Sequence, residues 1–558
     1  MSTNQSNLSS AQFGYDFVVA TTQAAINATM LEFLNETTMP LITMYYNQDD
    51  KGNPVLVDRV TLLSQTNGTD PLLVQNWSSS SPMTDDIKNL SNSDFWYAFQ
   101  ARIGMPPGFL PSNLPDIVTL EAGSQSVNFS LLCSEFTVVE STYSRNGLTN
   151  FLNTSQPSGT AWVFTSNVPL ANIINNDKLP PAVQQQLDYL GSDAFSVQQL
   201  FFDLDSAILE STPTLSGIVP GTAVSTALNQ IFQGAYFSAM KANGQPILGY
   251  SIVPKTSLPD PSPLSLTGLN FEVSPYLPPA NQPNQPDLNT LNYLCASNND
   301  TLPQPVSFNW NWIDQEQAGL YDGVIAVNRN TLASYFEQQL KGLVPRNCFL
   351  PWVRVWLSDW DTKCNWGWNM IPGQSPDVAY PATGDTVLTF SYEHPQVYDS
   401  AGLDGDMGSG GLATQYSLSV RFVGNTIIIV QHLVINIYVS SLSDGHGGNV
   451  VDKTITDTYT IAVNQQGALT VSDPASAVLD NSDPPSTNGF LSFFNGLNDI
   501  INDVNNWITN YTATSLTDIP ASHLRNFIFP GGKVFTYTDV GFSANQDLVS
   551  HITYVDPV

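Results

Sequence analysis

The sequence is poor in charge, and poorest in positive charge. Only 12% of its 558 residues are charged, and 17 Lys and Arg face 48 Asp and Glu for a net of −31. Globular chains commonly carry ~25% charged residues, so Asn, Gln, Ser and Thr must supply most of the polar surface. The acidic imbalance repels phosphate backbones and anionic lipid head groups, which argues against nucleic acid as a partner. Cysteine is scarce as well. Cys133, Cys295, Cys348 and Cys364 are too few and too scattered for a disulfide scaffold, and no CxxC pair offers a zinc site. They read as buried free thiols, with a Cys348–Cys364 bridge open in an oxidising compartment. The five histidines, His394, His432, His446, His523 and His551, show no metal-ligand spacing. His432, inside an apolar run, reads as a core histidine, and His446 as part of a glycine turn. The motifs G-x-S-x-G, H-E-x-x-H, the Walker loop and G-x-G-x-x-G are all missing. The expectation is a non-enzymatic protein without metal or cofactor.

Long hydrophobic runs are missing too. The most apolar stretch, "NTIIIVQHLVINIYVS" at 425–440, is broken by Gln431, His432 and Asn436, falls short of the ~20 residues of a spanning helix, and has the β-branched content of a strand. The chain is therefore expected to be soluble. The opening "MSTNQSNLSS" has neither the basic nor the apolar region of a Sec signal. This predicts a cytoplasmic location or a leaderless export route, and sequons such as Asn27, Asn35, Asn76, Asn128 and Asn510 would then stay unmodified.

Apolar residues nevertheless make up 42% of the chain, ample for a large core, and the length favours more than one unit. The segment "YDFVVATTQAAINATMLEFL" at 15–34 returns as "YDGVIAVNRNTLASYFEQQL" at 321–340. Without a gap, Asp16 falls on Asp322 and Ala20 on Ala326. Val18, Ile26, Met30 and Leu34 meet Val324, Leu332, Phe336 and Leu340. Any strand running into an amphipathic helix gives such a pattern by chance, and the alternative is a duplicated unit. Further amphipathic helices are expected at 222–241 and at 488–510, where Leu497, Ile501, Val504 and Ile508 form a stripe widened by Phe494 and Trp507. Prolines crowd residues 254–286, which disfavours helix interiors and central strands. Strand-like runs at 385–394, 415–424, 425–440 and 454–463, with turns at Gly424-Asn425 and at "SDGHGGN" (443–449), read as an antiparallel meander. In "LDGDMGSGG" at 403–411, Asp404, Asp406 and Gly408 begin an EF-hand-like spacing, but Gln415 stands where the bidentate Glu is needed, so a flexible acidic turn is expected.

The segments "FGYDFVVATTQAAINATMLEFL" and "SFNWNWIDQEQAGLYDGVIAVNRNTLASYF" resemble the P47 proteins, encoded beside certain clostridial neurotoxin genes. The matching positions are Phe13, Gly14, Tyr15, Asp16, Val18 and Asn27 in the first, and the tryptophan-bearing strand with its Asp-Gly-x-x-Ala segment in the second. The match covers about fifty residues and carries no catalytic motif. P47 and OrfX proteins are similar to the TULIP superfamily, in which a long helix lies in a curved sheet and the groove can hold lipid. The resemblance implies an α+β, TULIP-like fold: long amphipathic helices packed on curved antiparallel sheets, as two related units in tandem. The division is a flexible N-terminus at 1–12, a first unit at 13–253, a proline-rich connection at 254–306 and a second unit at 307–558. An apolar groove would be lined by Ile26, Met30, Leu34, Leu332, Phe336, Leu340, Phe494 and Ile501, and would bind a lipid or other apolar molecule, alone or as a toxin accessory with protein partners.

Seven of the eleven tryptophans lie between 310 and 368. Alternation would put Trp310 and Trp312 on one face of a strand, and Trp352 and Trp356 on another. Trp352, Trp356, Trp360, Trp366 and Trp368 form the candidate recognition surface, since aromatic faces beside Asp359, Asp361 and Asn365 suit sugar rings and aromatic tips suit a membrane interface. A tryptophan-rich core seam is the bland reading. The alternative functions are therefore a carbohydrate-binding β protein, with Asp359 and Asp361 too close for an inverting pair, and an abundant storage or structural protein.

Overall fold

The two Tyr-Asp segments meet in space. The computed structural model describes residues 2–36, 41–110, 113–121, 126–174, 195–202, 208–211, 221, 247–254, 264, 266–358, 363–402, 408–441, 444–465, 467–485, 496–509, 511–519, 527–528 and 534–555. Strand β1 (Phe17–Thr22) runs into helix α1 (Gln23–Glu36); helices α2 (Arg59–Gln65) and α3 (Asp85–Asn92) and strands β2 (Phe95–Ile103) and β3 (Ser126–Ser144) follow. Then come β4 (Leu266–Ser274), β5 (Thr290–Ser297), β6 (Gly323–Val327) and α4 (Arg329–Leu340). A hairpin of β7 (Leu350–Leu357) and β8 (Cys364–Ile371) precedes the long strands β9 (Thr386–Ala401), β10 (Gly408–Val423), β11 (Thr426–Ser441) and β12 (Asp444–Val463). Helix α5 (Leu497–Trp507) and strands β13 (Val534–Tyr537) and β14 (Leu548–Val555) complete the elements that matter here.

β1 and β6 are the central pair of a sheet ordered β4-β5-β1-β6-β14-β13. They run antiparallel with Val19 opposite Ile325, the two residues that the sequence repeat superposes. A local two-fold axis therefore passes between equivalent residues, and the hydrogen bonds obey it. Asp16 N–H donates to Cys295 O and Asp322 N–H to Ile552 O, both at 3.0 Å. Asp16 Oδ2 accepts from Ser297 N at 2.7 Å and Asp322 Oδ2 from Tyr554 N at 2.8 Å. Each helix starts at the equivalent position: Thr22 Oγ1 accepts from Ala25 N and Asn328 Oδ1 from Asn330 N, capping the first turn. The repeat thus records one strand-cap-helix design used twice.

The central sheet is buried on both faces. Phe17, Val19, Ile325 and Val327 enter the main core, while Val18, Ala20, Val324 and Ala326 pack under Phe13, Phe308, Trp310 and Trp312. The latter two tryptophans lie in an irregular segment, not in the expected strand, but they are fully enclosed. The proline-rich stretch is more than a connection, because β4 and β5 lie within 254–306 and β5 is an interior strand of this sheet. Proline is tolerated there because the Pro residues fall outside the two strands' paired positions.

A twelve-stranded sheet including β2 and β3 forms one flank. On the other, β9–β12 form an antiparallel meander with one face buried. Long helices are not part of the described fold. The longest described helix, α1, has 14 residues and α5 has 11, and the apolar faces are covered by several short elements instead. The segment at 222–241 and the first part of 488–510 lie outside the described residues. Residues 2–8, expected to be flexible, are pinned: Ser6 Oγ and Leu8 N both donate to buried Asp547 at 2.7 Å.

Candidate ligand-binding interior and aromatic hairpin

Strict alternation builds the interior. Along β11 every second residue is buried, so Ile427, Ile429, Leu433, Ile435, Ile437 and Val439 face inward beside Leu412, Leu418, Val420 and Phe422 of β10. Spanning 16 residues, β11 is ~53 Å long at ~3.3 Å per residue. Among the described residues, three short elements are prominent in covering this face. Helix α4 sets Phe336 edge-on to Phe422 at 6.0 Å. Helix α5 lays Leu497, Ile501 and Val504 into the same core, and the β7–β8 hairpin contributes Val353, Val355 and Trp366. At 12 and 11 residues, α4 and α5 are ~17–18 Å long at ~1.5 Å per residue, so neither helix, over its described residues, spans the face.

A buried polar ridge crosses it. Gln431 occupies an inward position of β11 and its Oε1 accepts from Tyr416 Oη at 2.9 Å, while its Nε2 donates to Thr512 O at 3.0 Å. Tyr511 Oη donates to Gln431 O and Lys453 O. Asp457, fully buried on β12, accepts from Thr514 N at 2.7 Å, Thr514 Oγ1 at 2.8 Å and Ser476 Oγ at 2.5 Å. Burial pushes the Tyr416, Tyr459 and Tyr511 hydroxyls up, keeping them neutral donors. The ridge moors the segment after α5 and divides the apolar face into a part under α4 and a part under α5 and the hairpin. The signal for it was in the sequence: Gln431 interrupts the apolar parity of β11 on its inward side.

Of the groove residues expected from sequence, Ile26, Met30, Leu34, Leu332, Phe336, Leu340 and Ile501 are all buried in the main core. Phe494 lies outside the described residues. They are divided among three helices. The α1 stripe faces the first flank, where Asn27 Nδ2 donates to Val118 O at 2.9 Å and Asn27 Oδ1 accepts from Val118 N at 2.8 Å. The α4 and α5 stripes face the long meander. The covers meet at the surface: Trp368 of the hairpin stands edge-on to Trp507 of α5 at 5.8 Å, and Trp507 is 46% exposed.

The hairpin separates the expected tryptophan surface into two faces. Trp352 and Trp356 are on the outer face, 49% and 43% exposed. Trp366 is not on the surface: it points inward, packed so closely on β10 that a Cβ at Gly410 would stand 3.0 Å from its Cε2. Trp368 shares that inner side and is partly buried. Trp360, Asp359 and Asp361 lie outside the described residues. The reason is parity, since Trp352 and Trp356 pair with Asn369 and Asn365, whereas Trp366 and Trp368 pair with Val355 and Val353.

All four cysteines are free and buried, with no Cys348–Cys364 bridge. Burial pushes the Cys133 and Cys348 thiols up to about 12, and Cys295 and Cys364 also rise. His432 is not in the core; parity turns it outward, where Nε2 lies 2.9 Å from Asp452 Oδ1. The glycines around His446 belong to β12 rather than to a turn, because the Tyr438 ring and the Asp483–Pro485 backbone leave no space for a Cβ at Gly445 and Gly448. Among the described residues no cluster of His, Cys, Asp or Glu could hold a metal, and no helix is long and apolar enough to cross a membrane.

No family model matches the chain, and no curated protein does. Among solved structures it is similar to P47 from Clostridium botulinum A2, with 11% identity and a TM-score of 0.43 over 96% of this chain and 97% of that one. It is also similar to a lipopolysaccharide binding protein, with 10% identity and a TM-score of 0.25 over 97% and 99% of the two chains.

Proposed function

We propose that the chain is a non-enzymatic protein with a TULIP-like architecture that binds a lipid or another apolar molecule between the long meander and its covers. One observation carries this reading: the apolar face on either side of the Gln431–Asp457 ridge is covered, among the described residues, by separate short elements that include α4, α5 and the β7–β8 hairpin, and the last two meet at a partly exposed Trp368–Trp507 contact. A core needed only for stability is served as well by one continuous cover. A segmented cover can part at its seams while the ridge at Gln431 and Asp457 holds the rest in place. The P47-like opening residues support a role beside a toxin-like assembly for such a protein, with the bound molecule as cargo or as a structural ligand.

The test is equilibrium binding of a fluorescent fatty acid, followed through its emission and by displacement with unlabelled palmitate. Saturable binding that weakens when Ile501→Asp introduces a charge beneath α5, with folding checked by circular dichroism, is the expected result. Ile437→Asn serves as a second variant if the first does not fold. Absence of saturable binding, or binding indifferent to both substitutions, contradicts the proposal.

A further inference from the structure

The outer face of the β7–β8 hairpin is a second and separate feature. Trp352, Arg354 and Trp356 point outward from β7, and their cross-strand partners are Asn369, Gly367 and Asn365. Gly367 has no side chain to hold the rings upright. A Cβ there would lie 3.2 Å from Cζ3 of Trp356 and 3.9 Å from Cζ3 of Trp352. Both six-membered rings therefore reach over the glycine, as aromatic residues do when they cover a strand glycine. The result is one aromatic floor with about half of each indole open to solvent. Arg354 sits at its centre, with the guanidinium carbon 5.9 Å from the Trp356 ring centroid. Asn369 Oδ1 is fixed by Met370 N–H at 2.9 Å, which places its amide at the edge of the floor.

We propose that this face is a binding platform for neutral oligosaccharides. A pyranose ring presents axial C–H bonds on one side, which stack on an indole face, and equatorial hydroxyls around its rim, which bond to guanidinium and amide groups. Flat indoles flanked by Arg354 and the amide of Asn369 supply both. The charge balance selects among occupants: a net of −31 opposes anionic glycans and anionic membranes, leaving an uncharged sugar as the complementary ligand. A bilayer would be met by projecting aromatic tips, whereas these rings are held down on Gly367. The proposal is independent of the apolar interior, since the inner face of the same hairpin serves that core.

The experiment is native affinity electrophoresis through gels containing hydroxyethylcellulose, soluble starch or galactomannan, followed by tryptophan fluorescence titration with the matching hexasaccharide. Retardation by at least one polysaccharide is expected, with affinity falling at least tenfold in Trp352→Ala/Trp356→Ala and staying within twofold when exposed Leu73 is changed, Leu73→Ala. Arg354→Ala is expected to weaken binding several-fold without changing the melting temperature. Three outcomes overturn the proposal: no retardation by any of the three polymers, retardation unchanged in the double variant, or loss of the same two tryptophans abolishing co-sedimentation with neutral phosphatidylcholine vesicles while sugars have no effect.

Discussion

Asp547 shows what one buried residue can decide. It accepts from Ser6 Oγ, Leu8 N and Arg329 N, tying the N-terminal turn to the start of α4. Desolvation nevertheless outweighs these bonds and raises its carboxyl to about 6. A raised acid favours the folded state most when protonated, so its contribution is present below the ordinary carboxylate range and is lost as pH rises through about 6. Asp16, Glu272 and Asp322 are shifted in the same direction by burial. Stability measured by urea unfolding should therefore decline as pH rises from about 4 to about 6, by up to roughly 1.4 kcal/mol per pH unit for one such group. Asp547→Asn should flatten that decline; equal slopes for variant and parent would dismiss the assignment. The thiols make a second residue-scale prediction. Buried and held protonated, they should resist Ellman's reagent in the native protein and react as four free thiols after guanidinium unfolding. Rapid native labelling, or a count of two after unfolding, would contradict this.

Among the elements, the strands and the repeat were the most legible in the sequence. β-Branched content located β11, and the superposition of Asp16 on Asp322 exposed the repeat, because a strand that runs directly into a capped helix leaves a dense local pattern; that the two copies pair with each other in one sheet was not anticipated. The covers were legible as stripes, since Leu332, Phe336 and Leu340 of α4 and Leu497, Ile501 and Val504 of α5 are buried as the periodicity implies. Periodicity does not say what a stripe packs against, and the first part of 488–510 lies outside the described residues. The irregular path of Trp310 and Trp312 was missed because alternation in four residues is compatible with a loop wrapped around its own aromatic cluster. The site was legible in its residues and not in its grouping: seven expected groove residues are buried, but long-range packing distributes them over separate faces. Helix α1 yields a direct test. Asn27 bonds both backbone groups of Val118, so Asn27→Leu should destabilise the protein by about 2–4 kcal/mol, the cost of leaving two buried backbone groups unpaired. A loss well under 1 kcal/mol in urea unfolding would show that another partner takes its place. Gly323 packs against the Ala20 carbonyl across the two-fold, and Gly323→Val should be more damaging than the same change at exposed, unobstructed Gly342.

At the scale of the whole molecule, a net charge of −31 works against compactness, since like charges crowd on folding. Screening shortens their reach to ~10 Å at 0.1 M salt. The melting temperature should therefore rise as NaCl increases from roughly 20 to 500 mM, and a fall would mean that attractive pairs such as Arg421–Asp385 outweigh the general repulsion. What the segmented apolar interior holds can be read by native mass spectrometry, on protein purified from its own source and measured before and after chloroform–methanol extraction. A reproducible mass excess that extraction removes and returns as a lipid or other apolar molecule is the expected result. A bare mass before and after extraction, from protein that also fails to take up palmitate, would contradict it and make the buried face of the meander a core and nothing more.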